Sequence, residues 1–288
     1  MKILITGPEG TIASNLIKNL PKNYKIYSIS SRKIKKNSRI SRNLKYEGNY
    51  LDLKKFLISI DPKIIVHLST KWKKFDEDSN QDLIDSNITF GSYLLDISSQ
   101  LKLKVFINTS SYTQINSKGI FKPFNFYSAS KEAFSNMLYY FFTTKKFKVI
   151  NLRLMNVYGN IKDKRIVNYI FNEIRNKKKD IYLNDSNAYI DLIHIDDVIN
   201  AIITLIKKNN YDDYVKFSYD LSSKKQIKII ELINLIEEIT GYKFRKVKSK
   251  KIFNEYLKVP FRKKRLLNWS NKVSIRDGLK KHYDLFFP

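Results

Sequence analysis

Residues 2–21 read KILITGPEGTIASNLIKNLP, and the rest of the chain is best understood outward from them. The run KILIT is short, apolar and followed at once by a turn, which predicts a buried strand. TIASNLIKNL carries apolar residues at helical spacing and meets Pro21, which predicts an amphipathic helix ended by the proline. Between strand and helix lie Gly7 and Gly10, with Ala13 three positions on. A glycine at the first position allows the tight turn, and one at the second lets backbone approach a pyrophosphate. Free N–H groups of the helix start then point at that anion, while alanine keeps helix and sheet close. Only eight glycines occur in 288 residues, so two here are not incidental. Gly7, Gly10, Thr11 and Ile12 are therefore the first candidate cofactor-binding residues.

The next 140 residues repeat this alternation. KIYSIS (25–30), KIIVHLS (63–69), KVFINTS (104–110) and FKVINLRLM (147–155) read as strands. Helices are predicted across 82–101 and 127–146. Strands alternating with helices imply a parallel sheet with right-handed crossovers, a doubly wound α/β fold. After Gly159 the pattern loosens, with helices predicted near 164–178, 195–208 and 225–240 and short strands near 181–183, 214–218 and 243–248. SIRDGLKKHYDLF reads as a closing helix. The expected organisation is a dinucleotide-binding domain over 1–160 and a smaller α/β substrate lobe over 161–288 that shares helices with it.

Composition limits the function. There is no cysteine, which excludes disulfides, thiolate chemistry and cysteine zinc sites. No apolar run approaches the roughly 20 residues that cross a bilayer, and no secretory leader precedes KILIT, so a cytoplasmic protein is expected. The formal net charge is +27. Basic residues are spread along the chain in short clusters such as SRKIKK and FRKKR, without a nucleic-acid recognition motif. The charge therefore suits attraction of anionic small molecules better than specific nucleic-acid binding.

FNFYSASKEAF (124–134) places Tyr127 and Lys131 four residues apart, on one helix face. A tyrosine titrates near pH 10, and a cation one turn away is expected to lower it toward acid–base use. The pair alone decides little in a chain with 19 tyrosines. Together with TGPEGTIA, however, YSASK resembles the extended short-chain dehydrogenase/reductases, in the nucleotide-sugar epimerase, dehydratase and reductase branch.

The resemblance continues nearly end to end. YLDL, with Asp52 and Leu53, is similar to the Asp-Leu that caps the adenine. VHLST, with Leu68 and Ser69, resembles the segment beneath the cofactor. SNITFGSYLLD, with Asn87 and Gly91, resembles Asn-x-x-x-Gly-Thr, and LRLMNVYGN resembles Leu-Arg-x-x-Asn-Val-Tyr-Gly. VFINTSS resembles the strand that ends in the catalytic Ser/Thr, which puts Ser111 in that role with Ser110 as the neighbouring alternative. By the same resemblance Lys131 also holds the nicotinamide ribose. The chain departs from the pattern in lacking Val-Tyr-Gly after this strand, with a short loop between Ser111 and Tyr127.

Asp191, His194, Asp196 and Asp197 are dense enough to suggest a metal site, but the resemblance makes the segment structural, and no metal is expected. Arg153, at the end of a buried strand, reads as an ion-pair or packing residue. The apolar face of AFSNMLYYFF resembles a family dimer helix, so a homodimer is expected through helices near 82–100 and 127–146.

After the second strand comes SISSRK, with no acid to hold a ribose 2′-hydroxyl and with Ser31, Arg32 and Lys33 near a 2′-phosphate. NADP(H) is thereby favoured, and NAD(H) stays open. The resemblance implies a reductase of a nucleotide-linked keto-sugar, of the 4-keto-6-deoxyhexose type, similar to the CDP-abequose and CDP-paratose synthase group, in a surface-polysaccharide setting. SSYTQ has no acid pair, which argues against a dehydratase. A 4-epimerase with tightly held NAD is the alternative, and a non-catalytic dinucleotide-binding regulator is the alternative of another class.

Overall fold

In the computed structural model, which describes residues 1–72, 79–116, 118–144, 146–163, 165–223, 225–249 and 264–287, the opening stretch forms β1 (Lys2–Thr6) and α1 (Thr11–Asn19). There follow β2 (Lys25–Ser30), β3 (Ile40–Lys45), α2 (Tyr50–Ile60), β4 (Ile64–His67), α3 (Gln81–Ile84) and, after one π-helical turn at Asp85–Thr89, α4 (Phe90–Ser98). Next come β5 (Val105–Ser111), α5 (Phe126–Thr144), β6 (Lys148–Leu154), β7 (Asn156–Tyr158), α6 (Ile166–Arg175) and β8 (Asp180–Leu183). The remainder is β9 (Tyr189–Ile190), β10 (Leu192–His194), α7 (Ile195–Ile206), β11 (Ser218–Leu221), β12 (Ile227–Lys228), α8 (Ile229–Thr240), β13 (Arg245–Lys248) and α9 (Ile275–Phe286).

Seven strands make one parallel sheet in the order β11-β6-β5-β4-β1-β2-β3. The chain winds outward from β1 in one direction and from β4 in the other. The crevice between the carboxyl ends of these two strands is where an open α/β sheet binds ligands. Alternation along β1 divides the core. Ile3 and Ile5 face α1 and α7, while Leu4 faces α2, α4 and α5. A third core joins α6, α8 and α9 to the short strands of the C-terminal lobe.

Several elements differ from the sequence expectation, which also named neither α2 nor the short strands β7, β9, β10 and β12. β3 was not anticipated, because ISRNLK is an edge strand with one neighbour and needs little apolar burial. The strand expected at 214–218 forms at Ser218–Leu221 instead, paired with β6 from Ser218 beside Asn151. Tyr214 sits in the turn before it, fully buried. β11 and α7 thus lie beyond residue 160 yet complete the large sheet and cover it. The helix expected across 82–101 carries the π-helical turn, which holds Asn87. The basic clusters at 246–251 and 261–265 fall partly outside the described residues.

Candidate active site

Gly7 takes φ +65° and is pressed so closely on the β4 exit that a Cβ there would meet Ser69 Cα at 3.0 Å. Only glycine serves at such a turn. Its N–H donates to Ile29 O, and the N–H of Gly10 donates back to Gly7 O, both at 2.9 Å. Thr11 and Ile12 then open α1, whose first turn contains no acid to oppose an anion. Thr11 Oγ1 accepts from Asn160 Nδ2 at 2.6 Å.

Beside the loop, Thr6 Oγ1 accepts from the N–H groups of Leu68 (3.0 Å) and Ser69 (2.9 Å). Its own hydrogen is therefore directed to His67 Nδ1, 3.0 Å away. Burial first, and then the charge of Lys131, push His67 down to about 3, so this imidazole is neutral. The result is a rigid floor under the β1–β4 crevice.

Asn87 was expected at the cofactor. It accepts from the Thr70 hydroxyl (3.1 Å) and Lys71 N–H (2.8 Å), and donates to Lys71 O (3.0 Å) and Ser130 Oγ (2.9 Å). It clasps the segment after β4 to α5. Leu53 packs fully buried in the core, and Asp52 is exposed in the first turn of α2, behind the Asn49 cap. Leu68 and Ser69 are half-buried at the crevice. Ser31 and Arg32 are exposed beyond β2, and Arg32 Nε lies 2.5 Å from Glu9 Oε2. An acid does reach this corner, from the glycine loop rather than from the end of β2.

Tyr127 is the second residue of α5, and Lys131 lies one turn on. Lys131 is buried and pushed down to about 8 by that burial. Tyr127 differs from the expectation. Burial raises its hydroxyl above the usual range, while a hydrogen bond with the Thr70 side chain and the charge of Arg165 work against that rise. Loss of water around the phenol outweighs both. Lys131 is not among the groups that lower it.

Ser111 ends β5 and caps a 3₁₀ turn at Tyr112–Gln114. Its Oγ lies 2.8 Å from Thr113 Oγ1, and Ser128 Oγ, in the first turn of α5, donates to the same Thr113 oxygen at 2.7 Å. Successive strand residues face opposite sides, so Ser110, which is buried, points away from this set. Hydroxyl contacts thus tie Ser111 to the start of the helix that carries Tyr127 and Lys131. Gln114 reaches Glu132 of α5 as well.

Sequence reasoning did not single out Glu9, Thr70, Thr113, Asn160 or Arg165. Short polar side chains in loops carry no periodic signal, and their pairing depends on contacts distant in sequence. Arg165 lines a cavity of about 410 Å³ with Tyr112, Asn156, Tyr169, Tyr182 and Asn184 among others. Tyr112 closes one wall, its hydroxyl donating to Asn156 Oδ1 at 3.0 Å. A second cavity of about 400 Å³ flanks Glu9, between Pro8 and the segment 34–38.

The acid-rich segment holds the lobe together. Asp191 accepts from Ser223 N–H at 2.9 Å, Asp197 from Lys272 and Val273 N–H at 2.8 and 3.1 Å, and His194 Nδ1 caps α7. Arg153 pairs with Asp220, Nε to Oδ1, at 2.5 Å. Among the described residues no helix is long and apolar enough to cross a membrane.

The glycine turn that a Cβ would fill, the acid-free helix start and the cavity beside Glu9 fit a dinucleotide. Known proteins agree with this fold. The chain is 27% identical over 246 residues to CDP-abequose synthase of Yersinia pseudotuberculosis, covering 83% of this chain and 85% of that protein. It is 26% identical to CDP-abequose synthase of Salmonella muenchen, covering 97% and 96%. The crystal structure of UDP-glucuronic acid 4-epimerase of Bacillus cereus, in complex with UDP-glucuronic acid and NAD, superposes with a TM-score of 0.85 at 23% identity over 99% of both chains. Residues 3–215 match the NAD dependent epimerase/dehydratase family, and the chain is an enzyme belonging to that family.

Proposed function

We propose that this enzyme is an NADP(H)-dependent reductase of a nucleotide-linked keto-sugar, of the 4-keto-6-deoxyhexose type. The observation that carries the reading is the hydroxyl set joining Ser111 to the first turn of α5, beside Tyr127 and buried Lys131. Its resemblance to the CDP-abequose synthases, each named for a nucleotide-linked sugar, supports the substrate class. When bound, the dinucleotide supplies the hydride. Tyr127 gives its phenolic proton to the carbonyl oxygen, and Ser111 donates a hydrogen bond to the same oxygen. Lys131 holds the nicotinamide ribose, and the Thr70 hydrogen bond and the charge of Arg165 favour the phenolate that remains. The cavity lined by Arg165, Tyr169 and Tyr182 suits the nucleotide end, with the guanidinium near the diphosphate. On this reading residues 1–160 with β11 and α7 hold the dinucleotide, and the other C-terminal elements hold the sugar nucleotide.

The test is oxidation of NADPH by the purified chain in the presence of CDP-linked 4-keto-6-deoxyhexoses. No oxidation with any nucleotide keto-sugar would sink the reductase reading. A 4-epimerase with tightly held NAD is the second reading, favoured by the Glu9 carboxylate at the adenosine corner. It requires NAD that copurifies and no net oxidation of added NADPH.

A further inference from the structure

Arg32 lies just past the second strand, where the 2′ position of the dinucleotide is expected, and its guanidinium is already occupied. Its Nε lies 2.5 Å from Oε2 of Glu9. Glu9 stands on the phosphate loop, between Gly7 and Gly10, and Arg32 stands two residues past β2. The turn there is held by Ser30 Oγ, which donates to Arg32 O at 2.7 Å. Glu9 lines the cavity of about 400 Å³, together with Lys35 and Lys36. Side-chain exposure is 75% for Arg32 and 35% for Glu9, so the ion pair opens at little cost.

We propose that Glu9 is a specificity-determining residue for the dinucleotide: its carboxylate holds the guanidinium that a 2′-phosphate requires. The inference rests on the reading of the glycine loop as the dinucleotide site. A carboxylate and a phosphate use the same guanidinium fork, so the two compete for Arg32. A phosphorylated ribose binds by displacing Glu9 and then lies close to a carboxylate of its own sign. A ribose with a free 2′-hydroxyl leaves the pair intact. Glu9 thus weakens NADP(H) without touching NAD(H), and it sets the ratio between them.

The experiment is fluorescence titration of the nucleotide-stripped full chain with NADPH and with NADH. Wild type is compared with Glu9→Gln, with Glu9→Ala as a second variant and thermal melting as the check on folding. Glu9→Gln is expected to tighten NADPH about three- to fivefold, the factor open to an exposed ion pair, and to leave NADH within about twofold. Adding Arg32→Ala should abolish that gain. An unchanged NADPH-to-NADH ratio in both variants overturns the proposal. So does weaker NADH binding by Glu9→Gln, which would make the carboxylate an acceptor for the ribose hydroxyl. The wild-type ratio separately tests the NADP(H) reading: a wild type that prefers NADH sinks that reading, while the shift in Glu9→Gln still supports this one. Failure of the wild type to bind either dinucleotide overturns both.

Discussion

Asn160 and Thr11 are 149 positions apart in sequence, yet the Asn160 amide donates to the Thr11 hydroxyl at 2.6 Å. The contact continues into the C-terminal lobe. Asn168 Nδ2 donates to Asn160 O at 2.7 Å, and Asn168 Oδ1 lies 2.5 Å from Nε2 of His282 in α9. Because the Asn168 amide nitrogen is occupied as donor, its oxygen must accept, and His282 carries its hydrogen on Nε2. The phosphate-loop helix is therefore tied to the terminal helix through polar groups, of which Asn168 and His282 are buried. Asn160→Ala should weaken dinucleotide binding about three- to tenfold, as expected for one lost hydrogen bond, with little change in melting temperature. Titration of the reduced dinucleotide by fluorescence checks this, and unchanged affinity would remove Asn160 from the site.

Removal of the Tyr127 hydroxyl should separate binding from chemistry. Tyr127→Phe is expected to bind the dinucleotide within about twofold of wild type and to lose turnover by about 10²- to 10⁴-fold. Steady-state turnover with a nucleotide keto-sugar is the measurement. Retention of most of the turnover would reassign the proton donor.

Thr113 Oγ1 shares a hydrogen bond with Ser111 Oγ at 2.8 Å. If Thr113 donates to Ser111 Oγ, with Ser128 donating to Thr113, the Ser111 hydrogen is left for the substrate. Thr113→Val should lower kcat up to about tenfold, with dinucleotide affinity unchanged, and Thr113→Ser should restore it. Equal losses in both variants would make the role one of packing.

The three histidines of the chain all lie buried and are held below their ordinary value by burial. His67 is pushed down to about 3 and His282 to about 4. In the unfolded chain they titrate near 6.5, so between pH 6.5 and 4 the unfolded state binds more protons than the native one. Stability is complete above about pH 6.5 and falls as the pH drops. His67 and His282 each contribute a loss of about 1–2 kcal/mol between pH 7 and 5. Urea midpoints at pH 7.5, 6 and 5 measure it, and a flat series over that window would contradict neutral burial.

The outer face of α5 exposes Met137, Tyr139 and Tyr140, while Ser92 of α4 contacts Met137. This aromatic surface is proposed to bury itself against a second copy through α4 and α5. Sedimentation of the wild type should give a dimer, and Tyr140→Glu with Met137→Glu should give a monomer. A monomeric wild type at micromolar concentration would leave the face without that role.

Much of this was legible in the sequence because it follows from local periodicity. KILIT, the glycine pair and TIASNLIKNL specify strand, turn and helix within 20 residues, and the same alternation repeated to residue 155 predicts the parallel sheet. Tyr127 and Lys131 share a face because a helix has 3.6 residues per turn. β3 was not legible, since Ile40 and Leu44 are its only apolar residues and both stay half-buried. Asn87 reads as a cofactor-site residue from the sequence, while its hydrogen bonds to the segment after β4 and to Ser130 of α5 depend on tertiary contacts.

The sequence by itself therefore determined the fold and the residue types at the crevice, since both depend on neighbours within a turn or a strand. Tertiary structure alone decided that Glu9 meets Arg32, that Thr113 joins Ser111 to α5 and that Asn160 holds Thr11. It also decided that the Tyr127 hydroxyl is raised, because desolvation depends on everything packed around a group, and here outweighs the Thr70 hydrogen bond and the charge of Arg165.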